Sequence, residues 1–164
     1  MAVYCEARTD TDVLAEIGDA KRILLVGCAM CANMSYAIQK ELPMYKFTLM
    51  GIKALCTADE MHRMARLLAQ EGLHVESWLP GFPTGLCTLA EGARNKLSNK
   101  CRDIDAIITL SCETGTKNVE DISGAKKVVG AMNARGLVTA AVKRKMGKVF
   151  LDKQKVYVKK FVFE

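Results

Sequence analysis

Lys21-Arg22-Ile23-Leu24-Leu25-Val26-Gly27, with Cys28-Ala29-Met30-Cys31 directly behind it, decides the fold. A short unbroken aliphatic run ending in glycine marks a strand covered on both faces, because a half-exposed strand would alternate with polar residues. The next segment, Cys31 to Leu42, is helix-compatible and stops before Pro43, whose ring disfavours helical backbone in the residue ahead of it. Ile104 to Leu110 repeats the buried-strand pattern. Leu73 to Leu79 and Lys127 to Met132 read as further strands. Helices are expected over Thr11 to Ile17, from Thr57 to Gly72, and from Cys87 to Leu97, with a short one after Ser111–Gly115. Thr57 is the expected cap of the second, with Glu60 as its capping-box partner. Strands alternating with helices build βαβ units, so the expected class is α/β: a Rossmann-like three-layer open sheet, mostly parallel. Tyr45 to Ile52 fits a strand or a helix. Lys148 to Phe163 reads as two alternating runs around a polar turn, Asp152 to Lys155, giving a basic C-terminal β-hairpin within 148–164.

The length of 164 residues suits one domain, 1–164, and 50% apolar content supports a packed core. The longest apolar runs are far too short for a membrane span. The N-terminus lacks a charged segment followed by an apolar one, so no export signal is expected and the cytoplasm is the expected compartment. Seven cysteines in that setting argue for reduced thiols or metal ligation and against a disulfide framework. The net charge of +6 is weighted to the last third, from Lys126 to Lys160. Such a face suits an acidic partner or simple solvation. Aromatics do not interleave with the lysines, so nucleic acid is not the expected partner.

Four cysteines fall at one edge of the predicted parallel sheet. Cys28 and Cys31 form a C-x2-C at the exit of the first buried strand. Cys112 follows Ile104–Leu110, and Cys87 follows Leu73–Leu79. A C-x2-C has the bite for one metal centre, and two thiolates from neighbouring strands would complete a tetrahedral set. A helix N-terminus behind the thiols lowers their pKa and stabilises their negative charge. Soft ligands of this kind suit an iron–sulfur cluster, 4Fe-4S first, or alternatively zinc. Cys56, ahead of a helix start, is a fifth candidate or a substitute for Cys87, whereas Cys5 and Cys101 read as peripheral free thiols. The competing reading is that buried cysteine is ordinary packing. A thioredoxin-like dithiol is disfavoured, because Ala29 and Met30 stand between the cysteines.

The other features carry less chemistry. No G-x-G-x-x-G follows the first strand and no Walker motif occurs. His62 and His74 sit on a predicted helix and strand, away from the loop edge, so no Ser–His–acid set can be built. Glu113, beside Cys112, could orient a ligand or act as a base. Met30, Met34, Met44, Met50, Met61 and Met64 read as core filling, with an adaptable partner surface as the alternative.

Lys21 to Cys31, Leu110-Ser-Cys112-Glu-Thr-Gly115 and the cysteine after the middle strand, Cys87, together resemble the small subunit of acetogen-type methylenetetrahydrofolate reductases. The resemblance runs over roughly Asp12 to Lys145, and its motifs are short. Cys56 matches a further family cysteine if about 33–54 is an insertion. The family continues into a cysteine-rich tail with a Gly-Gly-Ile-Cys-Pro-type motif. This chain has no cysteine after Cys112, and Thr57-Ala58-Asp59-Glu60 replaces the family's glycine-rich stretch. The resemblance therefore implies only the α/β half. It implies an accessory subunit with one iron–sulfur or zinc centre on Cys28, Cys31, Cys87 and Cys112, in an anaerobe's one-carbon metabolism. Its partner would be a flavin-containing methylenetetrahydrofolate reductase-like oxidoreductase, served by electron transfer or docking, and a homo-oligomer is a further option. The reading from another class is a non-catalytic interaction module with structural zinc or buried free cysteines.

Overall fold

The computed structural model describes residues 1–124 and 126–162. In chain order the elements are β1 (Ala2–Ala7), α1 (Asp10–Ile17), β2 (Arg22–Gly27), α2 (Cys31–Lys40), β3 (Tyr45–Thr48), β4 (Gly51–Ala54) and α3 (Leu55–Gln70). There follow β5 (His74–Trp78), a 3-10 turn (Leu86–Thr88), α4 (Glu91–Lys100), β6 (Ala106–Leu110), α5 (Glu113–Ser123), β7 (Lys127–Gly130), β8 (Met132–Lys145) and β9 (Lys148–Lys160).

The fold is α/β with two sheets. One is parallel, four-stranded, in the order β5-β2-β6-β7. Its centre is where the aliphatic runs placed it: Ile23, Leu24, Leu25, Val26, Ile107, Ile108 and Leu110 are all 0% exposed. Burying each such side chain is worth roughly 1.5–3 kcal/mol, which is why these two strands anchor the domain.

The other sheet departs from the sequence-based expectation of a mostly parallel architecture. It has five strands in the order β1-β8-β9-β3-β4, paired antiparallel. The ambiguous 45–52 segment resolves as a β3–β4 hairpin turning at Leu49-Met50. The strand pair expected within 148–164 is instead one strand, β9, which forms a hairpin with β8; the turn is Met146-Gly147, with φ of 48° and 71°, the paired left-handed conformation that suits strand twist. Asp152–Lys155 is a bulge: Ala140 pairs with Val156 while Val142 pairs with Leu151. The hairpin was misplaced because a polar cluster inside a strand looks the same as a turn when the partner strand, β8, is not recognised. Phe163, the end of the predicted second run, lies outside the described residues.

Two helix boundaries also move. The helix expected from Thr57 starts at Leu55 with Ala54 as N-cap, so Thr57 and Glu60 form no capping box. Glu60 instead pairs with Lys40 at 2.6 Å and Arg63 at 2.7 Å. The helix expected from Cys87 divides into the 3-10 turn and α4.

Candidate functional site

The strand order reverses beside β2. The chain leaves β2 and returns as β5 on one side, then crosses to β6 on the other. In open α/β sheets the crevice at such a reversal, beyond the carboxyl ends of the strands, is where ligands bind. Here those ends carry Cys28, the residue after β2, and Cys112, two residues past β6. The two exits are locked together, since the Cys28 N–H donates to the Leu110 carbonyl at 3.0 Å.

The loop from Cys28 to Cys31 is held from below by a buried polar network. Thr57 Oγ1 donates to the Cys28 carbonyl at 2.9 Å, and Tyr45 Oη donates to the Ala29 carbonyl at 2.7 Å. Asn33 Nδ2 donates to the Met44 carbonyl at 2.7 Å, while its Oδ1 accepts from the Thr57 N–H at 3.0 Å. Asn33 thereby caps α3 from 24 residues away, which explains how that helix begins on an alanine. Gly27 makes the approach possible: a Cβ there would lie 2.4 Å from Met61 Sδ and 2.8 Å from Thr57 Cγ2.

One face of α2 fixes Cys31. Cys31, Ser35 and Gln39 are spaced by four and serve the outer edge of β1. The Val3 N–H faces Cys31 Sγ at 3.5 Å, the Cys5 N–H donates to Ser35 Oγ at 3.0 Å, and Gln39 Nε2 donates to the Cys5 carbonyl at 2.7 Å. A helix thus covers what would otherwise be an open sheet edge.

Cys112 is the N-cap of α5. Its pKa is lowered from 9.0 to about 6, first by the Cys31 thiol and then by the Gly115 and Thr114 amides, against the opposing effect of burial. Cys31 moves the other way, raised first by Cys112 and then by burial. The two shifts are opposite in direction, so of the two sulfurs Cys112 is the one whose thiolate is favoured. Gly115 lets α5 press close, since a Cβ there would lie 3.0 Å from Ser111 Oγ and 3.2 Å from Leu86 Cβ.

Cys87 lies exposed on the 3-10 turn. It is tied to α5 through Asn118, whose Nδ2 donates to the Leu86 carbonyl at 2.5 Å. A Cβ on Gly85 would sit 3.5 Å from Cys87 Sγ and 3.6 Å from Met30 Cγ, so this turn abuts the C-x2-C loop. The same loop reaches β3, where the rings of Phe82 and Tyr45 meet edge-on at 4.5 Å. Burial raises the Cys87 pKa, and the charges of Cys112 and Cys28 add to the effect.

The structure therefore brings Cys28, Cys31, Cys87 and Cys112 into one electrostatic neighbourhood. It does not close them into a finished cage: among the described residues, no three His, Cys, Asp or Glu side chains stand close enough to hold a metal ion. The donor chemistry, four thiols of which Cys112 has a lowered pKa, suits a soft metal. The Cys31–Cys112 pair is the assembled half. Cys87 sits on a solvent-facing turn.

Cys56 stands apart. Its Sγ points to the Pro43 carbonyl at 3.3 Å, and its pKa is raised to about 11 by burial and then by Asp59, with no cysteine among its partners. Cys5 belongs closer than the sequence reading put it. It is fully buried, with its pKa raised to about 12 by burial first and then by the charges of Cys112, Glu113 and Cys28. The alternation Ala2-Val3-Tyr4-Cys5 was the available signal for β1. Cys101 lies at the end of α4, near Lys126. Glu113 is exposed, and its Oε1 accepts from the Ala134 N–H at 2.8 Å, joining α5 to β8.

Comparison with known proteins finds no matching family model, no matching curated protein and no matching solved structure. Among the described residues, no helix is long and apolar enough to cross a membrane.

Proposed function

We propose that the chain is a thiolate-ligating accessory subunit whose Cys28, Cys31, Cys87 and Cys112 hold one iron–sulfur cluster or one zinc ion. The observation that supports this most is the gathering of Cys28, Cys31, Cys87 and Cys112 at the reversal point of the parallel sheet, with Cys112 at the head of α5 and its pKa lowered. On this reading the parallel sheet and its helices form a Rossmann-like three-layer unit. The resemblance to the small subunit of acetogen-type methylenetetrahydrofolate reductases makes the partner a flavin-containing one-carbon oxidoreductase in the cytoplasm. When bound, an iron–sulfur cluster would supply one-electron transfer and zinc a closed structural node. The chain's own contribution is to keep Cys112 deprotonated through the first-turn amides of α5 and to hold the C-x2-C loop through Thr57 and Tyr45. Uptake of the group would release the proton held on Cys31.

Anaerobic purification followed by iron, sulfide and zinc analysis and a visible spectrum tests the proposal. One centre per chain, lost in the Cys28→Ser/Cys31→Ser variant, is the expected result. A metal-free protein with unchanged stability in that variant overturns it in favour of an interaction module with packed cysteines.

A further inference from the structure

Two hairpin tips end side by side at the far end of the antiparallel sheet. The β3–β4 hairpin turns at Leu49-Met50, the β8–β9 hairpin turns at Met146-Gly147, and the Phe47 N–H donates to the Gly147 carbonyl at 2.8 Å. Leu49 is 108% exposed, Met50 99% and Met146 91%, so all three stand clear of the chain. Methionine at 146 holds a left-handed φ of 48°, where asparagine or glycine is the usual residue.

Behind the tips, the register places a single row of lysines across four strands. Lys53 pairs with Lys46, Lys46 with Lys148, and Lys148 with Lys145. Directly opposed residues of an antiparallel pair share a face and lie about 4.5–5.5 Å apart. Like charges so placed repel. No Asp or Glu occurs in 42–58 or 132–151. Among the described residues no carboxylate pairs with Lys46, Lys53, Arg144, Lys145 or Lys148. Among the described residues the row lacks its counter-charge.

We infer that this end of the sheet docks on an anionic phospholipid bilayer. Leu49, Met50 and Met146 enter the boundary of the acyl chains, and the lysine row meets the headgroup phosphates. Apolar prongs ringed by unpaired cations match the two forces that hold peripheral proteins to membranes, apolar burial and attraction to anionic lipid. A nucleic acid would meet the apolar tips before the lysines. It would also find the local aromatic ring, Phe47, covered by the Arg144 guanidinium at 4.1 Å from the ring centroid, and so closed to base stacking.

Co-sedimentation of the purified full chain with vesicles of phosphatidylcholine, with or without phosphatidylglycerol, tests this. The chain is expected to sediment only with the anionic vesicles. The tip variant Leu49→Ser/Met50→Ser/Met146→Ser, whose side chains touch nothing, is expected to fold normally by circular dichroism and to lose binding. The row variant Lys46→Gln/Lys53→Gln/Lys145→Gln/Lys148→Gln is expected to lose about fivefold in affinity per lysine removed, with no loss of stability. Equal sedimentation with neutral vesicles, no sedimentation at all, or full binding by the tip variant overturns the inference. A mobility shift of duplex DNA or RNA that survives the tip substitutions, without vesicle binding, reassigns the row to nucleic acid.

Discussion

Replacing Asn33 by alanine tests the clamp beneath the cysteine loop. Asn33 and Thr57 are 0% exposed and Met44 is 3% exposed, so water cannot replace the amide. The substitution removes two hydrogen bonds, of 2.7 and 3.0 Å; it leaves the Thr57 N–H unpaired in the interior, while the Met44 carbonyl keeps the Leu55 N–H at 3.0 Å. Each buried group left unmade costs about 1–3 kcal/mol. Part of that is offset because alanine has no amide to desolvate and no side chain to order. A net loss of about 2 kcal/mol follows, which with a urea slope of about 2 kcal/mol/M moves the midpoint down by about 1 M. Urea unfolding followed by circular dichroism reads it, with an unchanged slope showing that the unfolded state is not altered. Asn33→Asp refines the test. Its carboxylate still accepts from Thr57 but faces the Met44 carbonyl, and only the protonated acid can donate there. Its destabilisation relative to wild type therefore shrinks as pH falls. An Asn33→Ala midpoint within about 0.25 M of wild type, equivalent to about 0.5 kcal/mol, would refute the claim that this residue caps α3 and supports the loop.

Removing the Tyr45 hydroxyl with Phe leaves the Ala29 carbonyl without its donor; about 1 kcal/mol of stability is expected to go, with weaker retention of metal if the centre forms. Gly136→Ala puts a Cβ 2.3 Å from the Lys159 carbonyl oxygen, so the β8–β9 ladder must part there. A loss of about 3 kcal/mol is expected, and a thermal midpoint equal to wild type argues against that register. In metal-free protein the Cys112 value of about 6, against an ordinary 9.0, means the folded chain sheds this proton before the unfolded chain does. That stabilisation is complete above about pH 9 and fades as pH falls through about 6. Cys31, shifted upward, subtracts stability as pH rises past its unfolded value, so the pair contributes most near pH 9. The urea-midpoint gap between wild type and Cys112→Ser is expected to widen from pH 6 to pH 9; a flat profile refutes the lowered Cys112 pKa.

The parallel sheet was legible because burial on both faces leaves a plain mark: Ile23–Val26 and Ile107–Leu110 admit few other readings. Placing Cys28 and Cys112 at one edge then followed from topology. The antiparallel sheet was mostly missed because its strands are short or carry polar residues on an exposed face. β8 reads Met-Asn-Ala-Arg-Gly-Leu-Val-Thr, with no unbroken aliphatic run, and its identity depends on β1 and β9 pairing with it from opposite ends of the chain. The start of α3 was missed for a related reason. Thr57 and Glu60 fit a local cap, but Asn33 supplies that cap from another helix, and Glu60 is occupied by Lys40 and Arg63. Cys5 was set aside because the strand carrying it was not recognised, and only a tertiary contact brings it beside Cys28 and Cys112.

The backbone of the candidate site does not depend on what the thiols hold. Cys28 is fixed through its N–H on Leu110 and its carbonyl on Thr57, and Cys112 through its place at the head of α5. Serine at either position keeps every one of these bonds. The thiols themselves contribute electrostatics: Cys112 draws on the Cys31 thiol and two helix amides, and its charge in turn raises Cys87. The head of α5 favours the thiolate at Cys112, while Cys31 and Cys87 are held toward the protonated form, so the centre proposed above would have to displace their protons on binding.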